Sequence, residues 1–166
     1  MSKRRLFISS IAAAGLVAAL ALPVLGTPPS GILSGPILAR GDFTAATDVK
    51  FKISSATGTE VSNVAGAGEV VMQRIELAPS GSTGWHTHPG PAVVIIQSGS
   101  LVIESEHDGS CQSTTFAAGQ SFVDAGQGHV HLGRNPSTTV NTVVFVTYFD
   151  VGAAGPRLNA DAPGAC

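Results

Sequence analysis

Two histidine pairs offer the clearest chemistry in this sequence. His86 and His88 form one His-x-His pair, and His129 and His131 form the other. In a β-strand, residues i and i+2 point to the same face and lie about 7 Å apart along the backbone, so each pair would project two imidazoles in one direction. Neutral imidazole is a ligand for zinc, copper, iron and nickel. If the two strands are neighbours in a barrel, three or four imidazoles can hold one divalent transition-metal ion.

The other polar residues give weaker signals. The fifth histidine, His107, lies between two acidic residues in an expected hairpin turn, which is typical of a solvated surface side chain. Asp124 could accept a hydrogen bond from a histidine beside the site, or it could be an ordinary loop carboxylate. The sequence contains no glycine-rich phosphate loop and no serine nucleophile motif.

The elements that must position the histidines are short strands. Val, Thr and Ser are frequent, and 20 Gly and 10 Pro divide the apolar segments. An apolar run over residues 92–97 predicts a strand covered on both faces, and residues 139–151 form the longest strand pattern. Residues 28–36 are expected to be a linker and residues 56–68 a loop. No segment after residue 26 has helical periodicity, so the sequence predicts an all-β sandwich or barrel.

Composition and charge exclude several classes of protein. The chain has 166 residues, of which 43% are hydrophobic and 12% are charged, and its net charge is −2. This length fits one domain with a targeting segment, and the apolar share argues against a disordered chain. From residue 27 onward, six Lys and Arg stand against eleven Asp and Glu without a basic cluster. Nucleic acid is therefore not expected as a partner, because phosphate binding needs concentrated positive charge.

Residues 1–26 have the character of an export signal peptide. A basic start at residues 3–5 precedes an uncharged apolar stretch, and the Pro-rich segment that begins at Thr27 suits cleavage. The pair Arg4-Arg5 also resembles a twin-arginine signal, while an uncleaved membrane anchor is the alternative. We therefore expect a secreted or extracytoplasmic protein, such as one of the periplasm or cell envelope, with no membrane contact after signal cleavage.

The two cysteines are expected to form one disulfide bond. Cys111 and Cys166 both follow the signal segment, and thiols in an oxidising compartment usually pair. The bond would tie residue 166 to a mid-chain loop. Neither cysteine lies near a histidine at ligand spacing, so a metal-binding role for sulfur is not expected.

The two histidine segments resemble the paired motifs of the cupin family. The first reads GSTGWHTHPGP from Gly81 to Pro91 and ends at Gly99, and the second reads GQSFVDAGQGHVH from Gly119 to His131 and ends at Asn135. The resemblance covers about residues 67–150. It implies a single, small, jelly-roll-like cupin barrel, preceded by a linker and N-terminal strands at 27–66 and followed by a tail at 151–166.

The resemblance also implies that His86, His88 and His131 are metal ligands, but one expected ligand is missing. The family's first motif carries a Glu after the histidine pair, and counting along the motif places it at Ala92. The residues themselves offer His129 as a replacement, since it shares strand parity with His131. The alternative places His129 at the turn, where it would be hydrogen-bonded or exposed.

Three hypotheses for the function remain open. The resemblance implies an exported metal-binding protein, which could be a metal-dependent enzyme of dioxygenase or isomerase type acting on a small organic molecule. It could instead be a non-catalytic extracytoplasmic module that binds a metal or a small ligand, or a purely structural barrel. The cofactor would be one divalent ion of Zn, Fe, Cu, Mn or Ni. Pairing into a homodimer is a further implication, and the fold alone does not decide among these functions.

Overall fold

The chain forms eleven strands and no helix over residues 26–55 and 58–166, which are the residues that the computed structural model describes. The strands are β1 (Ser30–Ser34), β2 (Ile37–Ser55), β3 (Gly58–Ser82), β4 (His86–Thr87), β5 (Ala92–Ser98), β6 (Ser100–His107), β7 (Ser110–Ala117), β8 (Ser121–Asp124), β9 (His131–Arg134), β10 (Thr142–Phe149) and β11 (Leu158–Asn159). The all-β prediction is therefore confirmed. Within the described ranges, no helix has the length and apolar character needed to cross a membrane. The expected signal segment, apart from Gly26, lies outside the described residues.

Antiparallel pairing joins the strands into one sheet that closes almost completely into a barrel. Strands β8, β5, β10 and β3 lie side by side in that order, and β3 reaches β9 through the pair Ser82–Arg134. Strand β9 also pairs with β4 and with β6, while β6 pairs with β7 and β4 pairs with β11. The strands that begin at His86 and His131 are therefore direct neighbours.

A long ribbon of β2 and β3 takes the place of the expected loop. Strand β3 has 25 residues and is longer than β10, which covers the segment with the longest predicted strand pattern. The loop expected at residues 56–68 was wrong, because residues 58–64 pair with β2. The segment does alternate between buried and exposed residues, with Ser62 and Val64 buried, but its Gly and Ala content makes this strand pattern hard to recognise in the sequence. The Ser62 hydroxyl donates a hydrogen bond of 2.7 Å to the carbonyl oxygen of Ala125.

The segment expected to be a linker also contains a strand. Strand β1, within residues 28–36, pairs with the end of β3 through an irregular register. Its partners include Leu77, which is fully buried. The prediction followed the Pro and Gly content, but the short apolar stretch between them, Ile32-Leu33, was enough to form an edge strand.

The apolar core fills the barrel between strands of both sides. Its buried members are Val71, Leu77, Ala92, Val94, Ile96, Leu101, Val144, Val146, Tyr148 and Val151. Burying one Val, Leu or Ile contributes about 1.5–3 kcal/mol relative to exposure. Strand β10 serves both the core and the histidines, since the ring of Tyr148 packs 5.1 Å from that of His88.

The C-terminal segment is attached to the barrel at two points. Strand β11 pairs with β4, and Cys166 forms a disulfide with Cys111 of β7, with their Cα atoms 4.9 Å apart. The predicted disulfide is therefore confirmed. These attachments place Pro156 and Arg157 beside the first histidine pair.

Candidate metal centre

Two neighbouring strands bring the first histidine pair and His131 together. His86 in β4 and His131 in β9 are direct partners in the antiparallel register, and His88 follows the end of β4. The chain bends into β4 at Gly84, whose φ is +68° and where a Cβ would collide with the carbonyl oxygen of Thr27. Only glycine fits this position without strain. The short turn therefore fixes where the histidines enter the barrel.

The three imidazoles form a compact, buried cluster. The ring centroids are 4.4 Å apart between His86 and His131, 4.8 Å between His86 and His88, and 5.1 Å between His88 and His131. One nitrogen of each ring lies within 4.8 Å of the other two. Because zinc–nitrogen bonds are about 2.0–2.1 Å long, one ion between these atoms needs only small movements of the rings.

Hydrogen bonds fix the protonation of the first pair. His86 Nδ1 donates to the carbonyl oxygen of Gly84 at 2.8 Å, and His88 Nδ1 donates to that of Pro156. A carbonyl only accepts, so both rings carry their proton on Nδ1 and keep the Nε2 lone pair free. Histidines that bind metals are held in this way, by a hydrogen bond from the nitrogen that does not bind the ion.

Asp124 is the carboxylate nearest to the cluster. It lies at the end of β8, is 4% exposed, and places Oδ1 3.3 Å from His131 Nδ1 and Oδ2 3.9 Å from His88 Nε2. Oδ2 also accepts a hydrogen bond from the backbone N–H of Gly126. His131 Nδ1 is buried without a hydrogen-bond partner among the described residues. An unsatisfied buried nitrogen beside an acid and two imidazoles fits a cation shared among them.

His129 is hydrogen-bonded to Asp124. Its Nδ1 is 2.6 Å from Asp124 Oδ1, its side chain is 31% exposed, and its ring stacks on that of His131 at 5.7 Å. It forms a group with Asp124 and His131, whereas His86, His88 and His131 form another. Strand parity with His131 does not apply to His129, because β9 begins at His131 and His129 precedes the strand. The structure thus places it in the preceding turn, hydrogen-bonded to Asp124.

Burial keeps the clustered imidazoles neutral. Burial, together with the neighbouring His131 and His88, lowers the pKa of His86 to about 2. Burial likewise lowers the pKa of His131 to about 4 and lowers the pKa of His88. Metal ions bind neutral imidazole in competition with protons, so these rings are ready to accept a cation over a wide range of pH.

The pKa values of Asp124 and His129 shift in opposite directions, as expected for the two members of an ion pair. Burial raises the pKa of Asp124, but the hydrogen bond from His129 and the neighbouring imidazoles lower it more, to about 2. The hydrogen bond to Asp124 raises the pKa of His129 above its ordinary value. The Asp124 carboxylate is therefore a negative charge beside the neutral rings of His88 and His131.

A cavity of about 260 Å³ adjoins the first histidine pair. Its lining consists of Pro29, Ile32, Gly35, Gln73, Ile75, Thr83, His86, His88, Tyr148, Pro156 and Arg157. Pocket volumes for drug-sized molecules are about 300–1,000 Å³, so this cavity suits a small ligand. A molecule inside it would lie against the two imidazoles whose Nε2 lone pairs are free.

The sequence did not identify every residue of this region. Arg157, Tyr148 and Gln73 line the cavity beside the histidines only through tertiary pairing, and no local motif marks them. Asp124 was considered as a hydrogen-bond acceptor for a histidine, and the structure places it there. His107 lies in the hairpin between β6 and β7, apart from the cluster, with a side chain that is 52% exposed.

No protein-family model and no curated protein matches this chain. Among solved structures, an oxalate oxidase in complex with the substrate analogue glycolate is 24% identical over 55% of this chain and 46% of its own, with a TM-score of 0.46. A cupin domain from Bordetella pertussis is 21% identical over 64% of this chain and 97% of its own, with a TM-score of 0.41. The polyketide cyclase RemF from Streptomyces resistomycificus is 18% identical over 58% and 63% of the two chains, with a TM-score of 0.44.

One of these three structures, that from Bordetella pertussis, is described as a cupin domain. The chain spans about half the length of the oxalate oxidases that it matches. What those proteins bind is a property of those proteins.

Proposed function

We propose that this protein binds one divalent transition-metal ion through His86, His88 and His131 and acts on a small organic molecule in the adjoining cavity. The observation that carries the proposal is the buried cluster, whose three ligand nitrogens lie within 4.8 Å of one another. Without an ion, such a cluster is costly, because buried polar atoms are normally hydrogen-bonded. The unsatisfied His131 Nδ1 supports this view.

Asp124 is the carboxylate that we assign to the same site. Ala92, where the cupin pattern would place a Glu, is the direct partner of Asp124 across β5 and β8. Directly paired residues in an antiparallel sheet point to the same face, and both of these residues are buried. The acid that is absent from β5 therefore stands on the neighbouring strand. Three imidazoles and one carboxylate would leave open positions on a six-coordinate ion, as catalytic sites require.

The chain's own residues would orient the site and its ligand. A bound ion would supply Lewis acidity and lower the pKa of a coordinated water. The backbone carbonyls of Gly84 and Pro156 hold the His86 and His88 rings in place. The Tyr148 hydroxyl donates to Gln73 Oε1 at 3.2 Å, so two polar side chains of the cavity wall are held in fixed positions.

A non-catalytic binding module is the second candidate, and one observation favours it. Among the described residues that line the cavity, none is a carboxylate, and burial raises the pKa of the Tyr148 hydroxyl. The nearest carboxylate, Asp124, is ion-paired with His129. A reaction that needs a general acid or base would therefore have to use a group bound to the ion.

We place the protein outside the cytoplasm, in the cell envelope or secreted. The Cys111–Cys166 disulfide supports this location, because such bonds persist mainly in oxidising compartments. The basic and apolar character of residues 1–26 adds to the support from the sequence.

Metal content and turnover test the proposal together. The purified chain is equilibrated with Zn²⁺ or Mn²⁺, dialysed and analysed for metal. We expect one ion per chain in the wild type and in the exposed-site control His107→Ala, and loss of the ion in His86→Ala and His131→Ala. Oxygen uptake and product formation over a panel of small organic molecules then separate an enzyme from a binding module. No stoichiometric ion in the wild type, or an ion that survives both cluster substitutions, would refute the proposal.

A further inference from the structure

We propose that the cavity beside the histidines binds a small organic carboxylate through the guanidinium group of Arg157. The inference extends the proposed function and rests on it for the identification of this cavity as the working site. It names the chemical class of the ligand, which the metal cluster alone leaves open.

Arg157 is fixed against the wall of the cavity by its neighbours. One terminal nitrogen donates to the carbonyl oxygen of Thr83 at 2.8 Å, and the other donates to the side-chain oxygen of Asn159. Both partners are neutral. Among the described residues, no carboxylate lies within 4.0 Å of this guanidinium, whereas Arg40, Arg74 and Arg134 each have an acidic partner.

The cavity therefore has one positive charge without a matching negative charge. Of the described residues that line it, Arg157 is the only one of the types Asp, Glu, Lys and Arg. A partly buried cation without a partner is unfavourable, and an anionic ligand would compensate it.

The hydrogen-bonding capacity of Arg157 is not exhausted. A guanidinium has five N–H donors, and the bonds to the carbonyl oxygens of Thr83 and Trp85 and to the side-chain oxygen of Asn159 use three of them. One donor remains on the terminal nitrogen that binds Asn159, and Nε is buried without a partner among the described residues. Two of the groups that hold Arg157 are far apart in the sequence. Thr83 precedes the two histidine segments, and Asn159 follows them. The side chain is thus held in place before a ligand arrives, which reduces the entropy cost of binding.

The remaining wall favours an organic ligand over an inorganic anion. Four apolar residues also line the cavity, namely Pro29, Ile32, Ile75 and Pro156. The volume of about 260 Å³ is small, so the fitting ligand has a short carbon chain. A bound ion at His86 and His88 would attract the same negative charge.

Calorimetric titration at constant ionic strength tests this inference. Butanoate is compared with its neutral analogue butanamide and with inorganic phosphate, on the full chain loaded with Zn²⁺ and on chain treated with EDTA. We expect butanoate to bind the wild type at least tenfold more tightly than butanamide or phosphate. We expect Arg157→Gln to lose about tenfold or more in butanoate affinity, because a hydrogen bond to a charged group contributes about 1.5–3 kcal/mol. The control Lys52→Gln, which removes one exposed positive charge from β2, should change it less than twofold.

A second variant covers the case in which Arg157→Gln does not fold. Ile32→Trp would fill part of the cavity from the edge strand β1 and keeps the arginine at position 157, and it should also weaken butanoate binding. Equal binding of butanoate and butanamide, equal binding of phosphate, or unchanged affinity in both variants would overturn the inference. Zn²⁺ binding by the histidines without Arg157-dependent carboxylate binding would overturn it while leaving the proposed function intact. Arg157-dependent carboxylate binding in a chain that binds no metal would support it and refute the metal centre.

Discussion

Asp124 has contacts with three of the four histidines around the proposed centre. Its two oxygens lie 2.6 Å from His129 Nδ1, 3.3 Å from His131 Nδ1 and 3.9 Å from His88 Nε2. One buried carboxylate thus links the imidazoles inside the barrel with the one in the turn. Asp124 on β8 is also the direct partner of Ala92 on the adjacent strand β5. We therefore expect that an acid at position 92 can compensate for the loss of Asp124.

We expect Asp124→Ala to weaken metal binding by about 10–100-fold, the loss typical of removing a group that binds or orients the ligands of a metal. The double variant Asp124→Ala, Ala92→Glu should recover much of this affinity, since it returns a carboxylate to the same face from the adjacent strand. Competition titration against a zinc chelator measures both. Equal affinity of the wild type and Asp124→Ala would show that Asp124 has no part in the site, whatever the double variant does.

The buried histidines predict how the stability of the metal-free fold depends on pH. The folded-state pKa values of His86, His88 and His131 lie below the ordinary value of 6.5, so the unfolded chain binds more protons between about pH 4 and 6.5. This contribution to stability is fully present above pH 6.5 and is lost as the pH falls, by up to about 1.4 kcal/mol per pH unit for each histidine. The raised pKa of His129 opposes this trend.

Urea unfolding at several pH values between 7.5 and 4.5 measures this dependence. The exposed-site control His107→Gln should keep the slope of the wild type, and His86→Asn should flatten it. A metal-free fold whose urea midpoint rises as the pH falls through this range would contradict the assignment of the three rings as buried and neutral.

At the level of residues, the sequence identified the parts of the site that share a local pattern. His86 and His88 are two positions apart, and the motif around them is recognisable from the order of residues alone. Asp124 was seen as a candidate acceptor, but its position opposite Ala92 depends on the pairing of β5 with β8. Arg157 depends on the return of the C-terminal segment to β4. Contacts of this kind are set by strand register, which a single sequence does not display.

Two turns that flank the proposed centre are packed backbone against backbone. Gly90, between β4 and β5, and Gly126, between β8 and β9, lie so close that a Cβ on Gly126 would collide with the carbonyl oxygen of Gly90. These turns follow His88 and Asp124, respectively. Their contact therefore sets the spacing between the first histidine pair and the carboxylate.

We expect Gly126→Ala to be much more destabilising than Gly128→Ala. Both glycines have positive φ, which costs an alanine about 1–2 kcal/mol, but a Cβ at Gly128 would have no atom within 4 Å. The backbone collision at Gly126 adds about 1–3 kcal/mol or more of overpacking and should also weaken metal binding. Denaturant unfolding of the two variants makes the comparison, and equal losses of stability would contradict the close contact of the two turns.

At the level of elements, the composition predicted an all-β fold correctly but did not predict how long the strands are. The Pro and Gly content of residues 28–36 and the Gly and Ala content of residues 56–68 resemble linkers and loops. Both segments contain strands because β3 is long enough to pair with β1, β2, β10 and β9 along its length. Strand propensity depends on such neighbours more than on the residues themselves.

At the scale of the whole molecule, the disulfide closes a loop of the chain that contains several residues of the site. Cys111 and Cys166 are 55 residues apart in sequence, and the segment between them includes β8, β9, β10 and β11. That loop contains Asp124, His129, His131 and Arg157. In the unfolded chain, the bond therefore restricts the same segment that supplies Asp124, His131 and Arg157.

Reduction of the disulfide is expected to lower the free energy of unfolding by about 4 kcal/mol, the chain-entropy value for a loop of this length. Denaturant unfolding with and without a reducing agent measures the effect. The variant Cys111→Ala, Cys166→Ala should match the reduced wild type and should not respond to the reductant, because the chain has only 2 cysteines. A wild type whose stability is unchanged by reduction would contradict a stabilising role for the bond.

The position of a bound ion decides whether the histidine cluster is a metal centre. A crystal of the Zn²⁺-loaded protein, measured at the zinc absorption edge, locates the ion by its anomalous signal. We predict one peak inside the barrel, about 2.0–2.1 Å from a nitrogen of each of His86, His88 and His131, which is the usual zinc–nitrogen distance. A fully loaded crystal with no peak among these three rings, or with its zinc elsewhere on the chain, would show that the cluster does not hold the ion.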